Sequence, residues 1–239
     1  ARFTARFFKE VSKPRQEWEE FINQCYWIGY KTLTLVSITA FIMGLVLTIQ
    51  SRPTLLEFGA ASLLPAMVSV SLVREITPVI TSLICAGKIG SGIGAELGSM
   101  RVTEQIDAME VSATNPFKFL VVTRVLATTF MIPILVMYTD FVALIGSFIN
   151  VNGKELVSLS TFFVQVFDAI TFLDVFSSVI KSLVFGFTIG IVGCYKGYHS
   201  SKGTEGVGRA ANSAVVISMF LIFIEELLAL QIVNAIRGL

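Results

Sequence analysis

Charged residues inside otherwise apolar stretches are the first candidates for chemistry in this sequence. Arg74 and Glu75 lie toward one end of the second long apolar stretch, and Glu225 and Glu226 lie within the last one. Charges in apolar surroundings are costly and mark either an ion pair or a substrate pathway. If these two stretches lie side by side, Arg74 can pair with Glu225 or Glu226. Because adjacent helical residues point about 100° apart, the other glutamate would then face a cavity. A structural ion pair and a substrate-handling cavity both remain open.

A short polar segment, 103–111, is the second candidate, because it combines acidic and apolar residues at helical spacing. Its acids recur every three residues, at Glu104, Asp107 and Glu110. Ile106 and Met109 lie on another face. Thr103 is of the type that caps a helix N-terminus, and Glu104 in the first turn complements the helix dipole. The pattern fits an ordinary solvated helix, and it also fits a rigid helix onto which a partner docks. The short apolar pair of Ile106 and Met109, ringed by acids, favours docking.

Several kinds of chemistry are excluded because the residues that would perform them are missing. The cysteines, Cys25, Cys85 and Cys194, are far apart in the sequence and show no CxxC or Cys/His spacing typical of a metal site or disulfide. Lys88 follows Gly87 but precedes an isoleucine, so no GxxxxGK[ST] loop is present to cradle ATP phosphates. No Ser/His/Asp set is visible either. We expect no catalytic residue and no cofactor or metal bound by this chain.

The composition predicts a membrane protein. The 239 residues are 54% hydrophobic and 15% charged, and the mean hydropathy is +0.77. Soluble domains carry roughly 25% charged residues, so a soluble chain of this length could not cover such a core. The net charge of +1 gives no indication of nucleic-acid binding. The first thirty residues are too charged for a signal peptide.

The apolar stretches predict five membrane spans in a single all-α domain, 1–239. A span needs about 20 mostly apolar residues, and the candidates are 28–49, 70–98, 119–149, 175–195 and 210–236. Pro53 is expected to end the first span, and Pro65 to separate a short helix over 55–68 from the second. Pro133 predicts a bend in the third span.

Two further helices are expected to lie at the membrane surface. Residues 1–26 carry an apolar stripe, and Trp18, Tyr26 and Trp27 are suited to anchor an interfacial helix; an ordinary surface helix is the alternative. Residues 150–174 predict a second surface-lying or re-entrant helix. Its apolar positions are Phe162, Phe163, Val166 and Phe167.

The distribution of Lys and Arg predicts the orientation of the spans. Eleven basic residues flank one side, at Arg2, Arg6, Lys9, Lys13, Arg15, Lys31, Arg101, Lys118, Lys196, Lys202 and Arg209. The other side carries three, at Arg52, Lys154 and Arg237. By the positive-inside rule the N-terminus and the 103–111 segment are expected to be cytoplasmic and the C-terminus to lie outside.

Two stripes of glycine predict close helix packing. Span two carries Gly87, Gly90, Gly94 and Gly98, and span four carries Gly186, Gly190, Gly193 and Gly197. Small residues four apart allow membrane helices to approach closely. We expect spans two and four to contact each other through these stripes.

Residues 74–127 and 203–218 resemble the MlaE/YrbE-type permease family, the membrane subunits of Mce-associated ABC lipid transporters. The resemblance rests on REITPVITSLICAGKIGSGIGAELGSMRVTEQIDAMEV, on NPFKFLVVTRVLA and on GTEGVGRAANSAVVIS. The family usually has Arg where Lys88 stands, and Gly-Val-Asp-Pro where residues 113–116 stand. Asn115 in this sequence is still expected to end the 103–111 helix. Lys88 keeps the charge, although it lacks the bidentate geometry of Arg.

The resemblance implies five spans preceded by an interfacial elbow helix, a homodimer and a multi-pass location in the bacterial inner membrane; a plastid envelope is also compatible. It implies a cytoplasmic ABC ATPase, carrying ATP and Mg, that docks on a coupling helix over 103–111, and an Mce-domain protein on the outer side. It implies a lipid cavity between two copies, lined by spans one, two and five. The residues expected to couple to the ATPase are Arg101, Thr103, Glu104, Gln105, Asp107 and Glu110.

Two other classes of protein remain as alternatives. An ion-gradient-driven secondary transporter would use Arg74, Glu225 and Glu226 as relay groups. Such transporters contain inverted repeats with interrupted helices, and five spans do not divide in that way. A membrane scaffold without transport would leave the intramembrane charges without a purpose.

Overall fold

The computed structural model describes residues 2–12, 17–155 and 157–238, without the side chains of residues 154, 155 and 237. Lys13 and Arg15, which entered the charge comparison, therefore lie outside the described residues, as do the side chains of Lys154 and Arg237. The described residues form helices and connecting turns with no strand, which confirms the predicted all-α class.

Ten α-helices follow one another along the described chain. They are α1 (Arg2–Val11), α2 (Trp18–Glu57), α3 (Leu64–Ser71), α4 (Thr77–Cys85), α5 (Ser91–Val102), α6 (Gln105–Val111), α7 (Thr123–Glu155), α8 (Leu159–Ala169), α9 (Phe172–Tyr198) and α10 (Thr204–Arg237). A 3-10 turn, Ala61–Leu63, precedes α3. Three π-helical segments, Leu72–Ile76, Ala86–Gly90 and Phe117–Val122, join α3 to α4, join α4 to α5 and lead into α7.

Five helical stretches of the described chain are long and apolar enough to cross a membrane, as predicted. They are Trp18–Glu57, Ala61–Val102, Phe117–Gly153, Phe172–Tyr198 and Thr204–Ile236. The second consists of α3, α4, α5 and the two π-helical segments between them. The bilayer explains why all five are helical, because a helix satisfies its backbone hydrogen bonds within the segment.

The first span is longer at both ends than the sequence predicted. Helix α2 begins at Trp18, so residues 18–26 continue into the span and do not form part of a separate interfacial helix; only α1 stands apart. Pro53 lies inside α2 instead of ending it. Proline removes one backbone donor, and membrane helices tolerate that loss when neighbouring groups satisfy the carbonyl. The separate helix predicted over 55–68 is therefore wrong, because residues 55–57 end α2 and α3 continues into the second span. Pro65 lies in the first turn of α3, where proline is tolerated, and does not separate a helix from the span.

The chain divides into two compact units, and the second comprises Leu33–Thr81 and Pro133–Ser182. Its core joins Leu64, Val68 and Leu72 to Phe162 and Val166 of α8. Ser158 caps α8, since its hydroxyl accepts a hydrogen bond from the Thr161 N–H at 3.2 Å. The α8 helix therefore packs on its own unit through the apolar face that the sequence indicated, while Phe167 remains 73% exposed.

Close contact between α2 and α7 in the same unit depends on two glycines that the sequence analysis did not select. A Cβ placed on Gly44 would overlap the Ala143 carbonyl, and one on Gly146 would overlap the Phe41 carbonyl. Near this contact, Thr48 donates a hydrogen bond to the Ser147 hydroxyl at 2.8 Å. Helices without a hydrophobic driving force between them associate through such small residues and hydroxyl bonds.

The first unit comprises Ala1–Thr32, Ser82–Ile132 and Leu183–Leu239. Its helix α1 packs on the segment that leads into α7: the Phe3 and Phe117 ring centroids are 5.0 Å apart, and the Arg6 guanidinium lies 4.4 Å from the Phe117 centroid. Glu10 of α1 accepts a hydrogen bond from the Asn115 amide at 3.0 Å. Helix α1 is thereby attached to the chain immediately after α6.

Candidate functional site

The turn that leads into α6 passes through a residue with a left-handed backbone, a strained conformation for a residue other than glycine. Glu104 has a φ of 58° and precedes the helix without capping it through its side chain. Thr103 instead donates its hydroxyl to the Ser99 carbonyl at 2.9 Å, so it closes the end of α5. The prediction that Thr103 caps α6 is therefore wrong, because its hydroxyl bonds back along the preceding helix.

The other end of α6 is closed by a backbone motif. The Ala113 N–H bonds to the Glu110 carbonyl and the Thr114 N–H to the Met109 carbonyl, both at 3.1 Å. Ala113 adopts a φ of 58°, and this pattern is a Schellman motif with its left-handed residue at 113. The sequence predicted that Asn115 ends α6, and this prediction is wrong. The Asn115 side chain instead accepts the Lys118 N–H at 3.2 Å and so begins the next helix.

The apolar residue that α6 exposes is not one of the two that the sequence indicated. Ile106 is fully buried within its own unit, whereas Val111 is 90% exposed. The expectation that Ile106 and Met109 form an apolar docking pair is wrong for Ile106, because this side chain anchors the helix to its own chain. A seven-residue helix has too few turns for the sequence to show which face points inward.

The polar residues predicted around α6 are on the surface of the first unit. Arg101 and Asp107 form an ion pair at 2.5 Å in which both side chains are about half exposed. The side chains of Thr103, Glu104, Gln105 and Glu110 are exposed. The structure therefore brings together an acidic surface on a short helix that is held at both ends and anchored by one buried isoleucine.

Where α5, α9 and α10 meet, the close approaches are made by Gly94, Gly98 and Gly197. A Cβ on Gly94 would lie 3.2 Å from Ala211 Cα, and one on Gly197 would lie 2.9 Å from the Gly94 carbonyl oxygen. The contact between spans two and four, which the glycine stripes predicted, is therefore present in the first unit. Gly98, Gly90 and Gly87 have more room, with the nearest atoms at 3.4, 3.6 and 3.7 Å.

Gly186 and Gly190 face a different helix. A Cβ on Gly186 would lie 2.6 Å from the Thr128 carbonyl oxygen, and one on Gly190 would lie 2.9 Å from Val125 Cα. These two glycines therefore bring α9 against α7, while Gly193 and Gly197 bring it against α5.

The intramembrane charges of span two are paired within the second unit. Arg74 Nε donates to Asp174 Oδ1 at 2.8 Å, and the Lys181 ammonium donates to Glu75 Oε2 at 3.0 Å and to the Arg74 carbonyl at 2.7 Å. The acid that pairs with Arg74 is therefore Asp174 and not one of the span-five glutamates considered from the sequence. Asp174 is fully buried and also accepts the Thr171 N–H at 3.0 Å.

The charged residues of span five lie on α10. Glu225 accepts a hydrogen bond from the Thr188 hydroxyl of α9 at 2.5 Å. Glu226, the adjacent residue, is half-buried. Among the described residues, no group of three or more His, Cys, Asp or Glu side chains is placed to hold a metal ion.

Two residues that form buried ion pairs, Asp174 and Arg124, were not recognised from the sequence. Asp174 was placed at the edge of a span, although its carboxylate completes the pair with Arg74. Arg124 is 3% exposed and donates to Glu96 at 2.8 Å and to the Leu120 carbonyl at 3.1 Å. An arginine inside the third apolar stretch was the available signal, because such a residue must find a partner at membrane depth.

Comparison with known proteins adds a family and several relatives. The family model described as Permease MlaE matches residues 21–232. A probable ABC transporter permease protein of Rickettsia prowazekii is 39% identical over 93% of this chain and 86% of its own length. One from Synechocystis is 36% identical over 93% of this chain and 85% of its own, and one from Porphyra purpurea is 39% identical over 81% and 74%.

Proposed function

Because this chain belongs to the MlaE permease family and is an ABC transporter permease, we propose that it transports a lipid. The lipid would be phospholipid or a related molecule, moved between the bacterial inner membrane and an Mce-domain partner. A separate cytoplasmic ATPase would supply the energy, because no phosphate-binding loop occurs in this sequence. The observation that carries the proposal is the acidic, firmly anchored helix α6 at the end of span two.

Helix α6 is suited to receive force because it is held to its own unit at three points. Ile106 is buried, Arg101 and Asp107 tie the helix to the end of α5, and the Schellman motif fixes its other end. Its outward acids would attract a basic surface on the ATPase. A push on α6 would therefore move the first unit instead of bending a loose loop.

Close packing would carry such a push from α6 to α10. Helix α5 approaches α10 at Gly94, where even a methyl group would lie 3.2 Å from Ala211 Cα. Packed interiors do not deform continuously but shift between discrete arrangements. We infer that α5, α9 and α10 of the first unit move together when the ATPase closes.

The lipid cavity would lie against spans one and five of two copies of this chain. In the most apolar part of each span, 17% of span five and 28% of span one is buried, against 67% of span three. The exposed residues include Phe220, Phe223, Leu227 and Leu228 of α10. Such extended apolar surfaces suit contact with lipid or with a second copy.

The orientation follows the same proposal. The N-terminus and α6 would face the cytoplasm with the ATPase, α1 would lie as an elbow at that membrane surface, and the C-terminus would face the periplasm with the Mce-domain protein. The excess of basic residues on the α6 side supports this arrangement.

Charge reversal on α6 tests the coupling step. Glu104→Lys with Glu110→Lys reverses two exposed acids and leaves the Arg101–Asp107 pair intact. We expect the variant to remain folded in detergent but to recover at least tenfold less ATPase when the tagged permease is purified from cells expressing both subunits.

The matched control reverses two exposed acids at the start of the first span, Glu17→Lys with Glu19→Lys. This control should retain the ATPase. Normal recovery of the ATPase by the α6 variant would refute the docking role, and lipid transport without any ATPase would instead support an ion-driven transporter.

A further inference from the structure

A polar cavity of about 530 Å³ lies in the first unit beside the beginning of α2. One wall is the first part of α2, and the other is the π-helical segment Ala86–Gly90 with the start of α5. Its charged lining residues are Glu20, Lys31, Lys88 and Glu96. Neither α6 nor the charges of the second unit line it, so the proposed function leaves this cavity unused.

Two ammonium groups from different helices converge on this cavity. The Lys88 ammonium donates a hydrogen bond to the Lys31 carbonyl, which holds it close to α2. The Lys31 ammonium lies 3.4 Å from the centroid of the Trp27 ring. An ammonium has three donors, so Lys88 keeps two for a ligand after bonding to the backbone.

The acids that face the cavity do not cancel these two charges. Glu96 is bonded to Arg124 at 2.8 Å, which is itself buried. Glu20 accepts a hydrogen bond from the Gln24 amide at 2.7 Å. With Lys31, Lys88 and Arg124 set against Glu20 and Glu96, one positive charge remains in excess, and the cavity therefore favours an anion.

A buried hydroxyl provides a second, independent sign of a ligand. Thr32 lines the cavity and is fully buried, and its Oγ1 has no hydrogen-bond partner among the described residues. Buried polar groups are nearly always hydrogen-bonded. Rotation of the Thr32 side chain about χ1, for which threonine has two rotamers in a helix, would bring this hydroxyl to an oxygen atom of a ligand in the cavity.

The aromatic residues beside the cavity point to the class of ligand. Tyr26, Trp27 and Tyr30 are exposed at the same part of α2, and exposed Trp and Tyr side chains gather at the level of lipid headgroups. We propose that this cavity binds the phosphate of a phosphate-bearing membrane lipid, with Lys31 and Lys88 as its cations and Thr32 as its hydroxyl ligand. This goes beyond the proposed function, because the site would hold a headgroup whether or not that lipid is transported.

Native mass spectrometry of the full-length protein in detergent tests the proposal. The protein is titrated with palmitoyl-oleoyl phosphatidylglycerol and, separately, with the diacylglycerol that has the same chains but no phosphate. Lys31→Gln with Lys88→Gln should weaken phosphatidylglycerol binding at least tenfold and leave diacylglycerol binding unchanged. Thr32→Val, which replaces the hydroxyl by a methyl group, should weaken phosphatidylglycerol binding several-fold.

The matched control removes two exposed lysines outside the cavity, Lys9→Gln with Lys202→Gln, and should bind phosphatidylglycerol within twofold of the unchanged protein. Equal loss in this control, or binding by the Lys31/Lys88 variant within twofold of the unchanged protein, would overturn the proposal. If the lysine variant does not fold, unchanged binding by Thr32→Val overturns it. Displacement of the lipid by low millimolar inorganic phosphate would assign the cavity to a free phosphate compound instead of a lipid.

Discussion

Replacing Gly186 by alanine should separate α9 from α7. The new Cβ would lie 2.6 Å from the Thr128 carbonyl oxygen and 3.0 Å from Thr129 Cα, and both are backbone atoms that cannot rotate away. Reaching an ordinary contact distance requires a local shift of about 0.8 Å, which weakens dispersion contacts along the helix pair. Overpacking of this kind costs about 1–3 kcal/mol, partly offset by the helix propensity of alanine, about 1 kcal/mol.

The net loss is about 0–2 kcal/mol, so the melting temperature of a chain of this size should fall by up to about 6 °C. Thermal unfolding of the purified protein, followed by loss of the monodisperse peak in size-exclusion chromatography, measures it. Gly208→Ala is the matched control, because this helical glycine is exposed and has no atom within 4 Å of its ideal Cβ. The control should be neutral or slightly stabilised, and equal melting temperatures for both variants would refute the packing argument.

Two more changes test the strained turn and the buried ion pair. Ala113→Gly should stabilise the protein by about 0.5–1 kcal/mol, because glycine adopts the φ of 58° without strain. Its control, Ala108→Gly inside α6, should destabilise the protein by about 1 kcal/mol. Thermal unfolding of both variants measures the two effects. Asp174→Asn should lower the free energy of unfolding by about 2–3 kcal/mol, since it leaves Arg74, 30% exposed, without its charged partner. Glu205→Gln removes the acid of an exposed ion pair and should lower it by under about 0.5 kcal/mol. Similar melting temperatures for these last two variants would contradict the importance of the buried pair.

Hydropathy predicted the five spans because the requirement for a long apolar helix is local in sequence. The ends of the spans were less predictable. Charged residues near Trp18 suggested a separate helix, and Pro53 suggested a break, but α2 continues through both. Helix ends are set by hydrogen bonding and by tertiary contacts, which composition alone does not reveal.

The turns around α6 show a second limit of prediction. The sequence contained good capping residues on either side of α6. Thr103 was expected to begin α6 but bonds back to α5, and Asn115 was expected to end α6 but begins the next helix. Their side chains can bond either forward or backward along the chain. The left-handed residues Glu104 and Ala113 decide the direction, and neither residue type favours that conformation.

The partners of the intramembrane charges could not be predicted because they lie about a hundred residues away. The cost of an unpaired charge correctly indicated that Arg74 needs an acid. Asp174 and the glutamates of span five were equally suitable chemically, and only the packing of α9 in the second unit selects Asp174. The same reasoning applies to Gly44 and Gly146, which do not form a stripe with other glycines and are recognised only from the carbonyls that they meet.

The two ion pairs between span two and α9 also fix how these segments align. Span two presents a positive residue and then a negative one, Arg74 and Glu75, and α9 presents the opposite order, Asp174 and Lys181, on one face two turns apart. Sliding α9 by two turns, about 10.5 Å, would set Arg74 against Lys181, and both positive charges would lose their acids. The two ion pairs therefore favour the observed register over one shifted by two turns, much as a single buried polar residue fixes the register of a coiled coil.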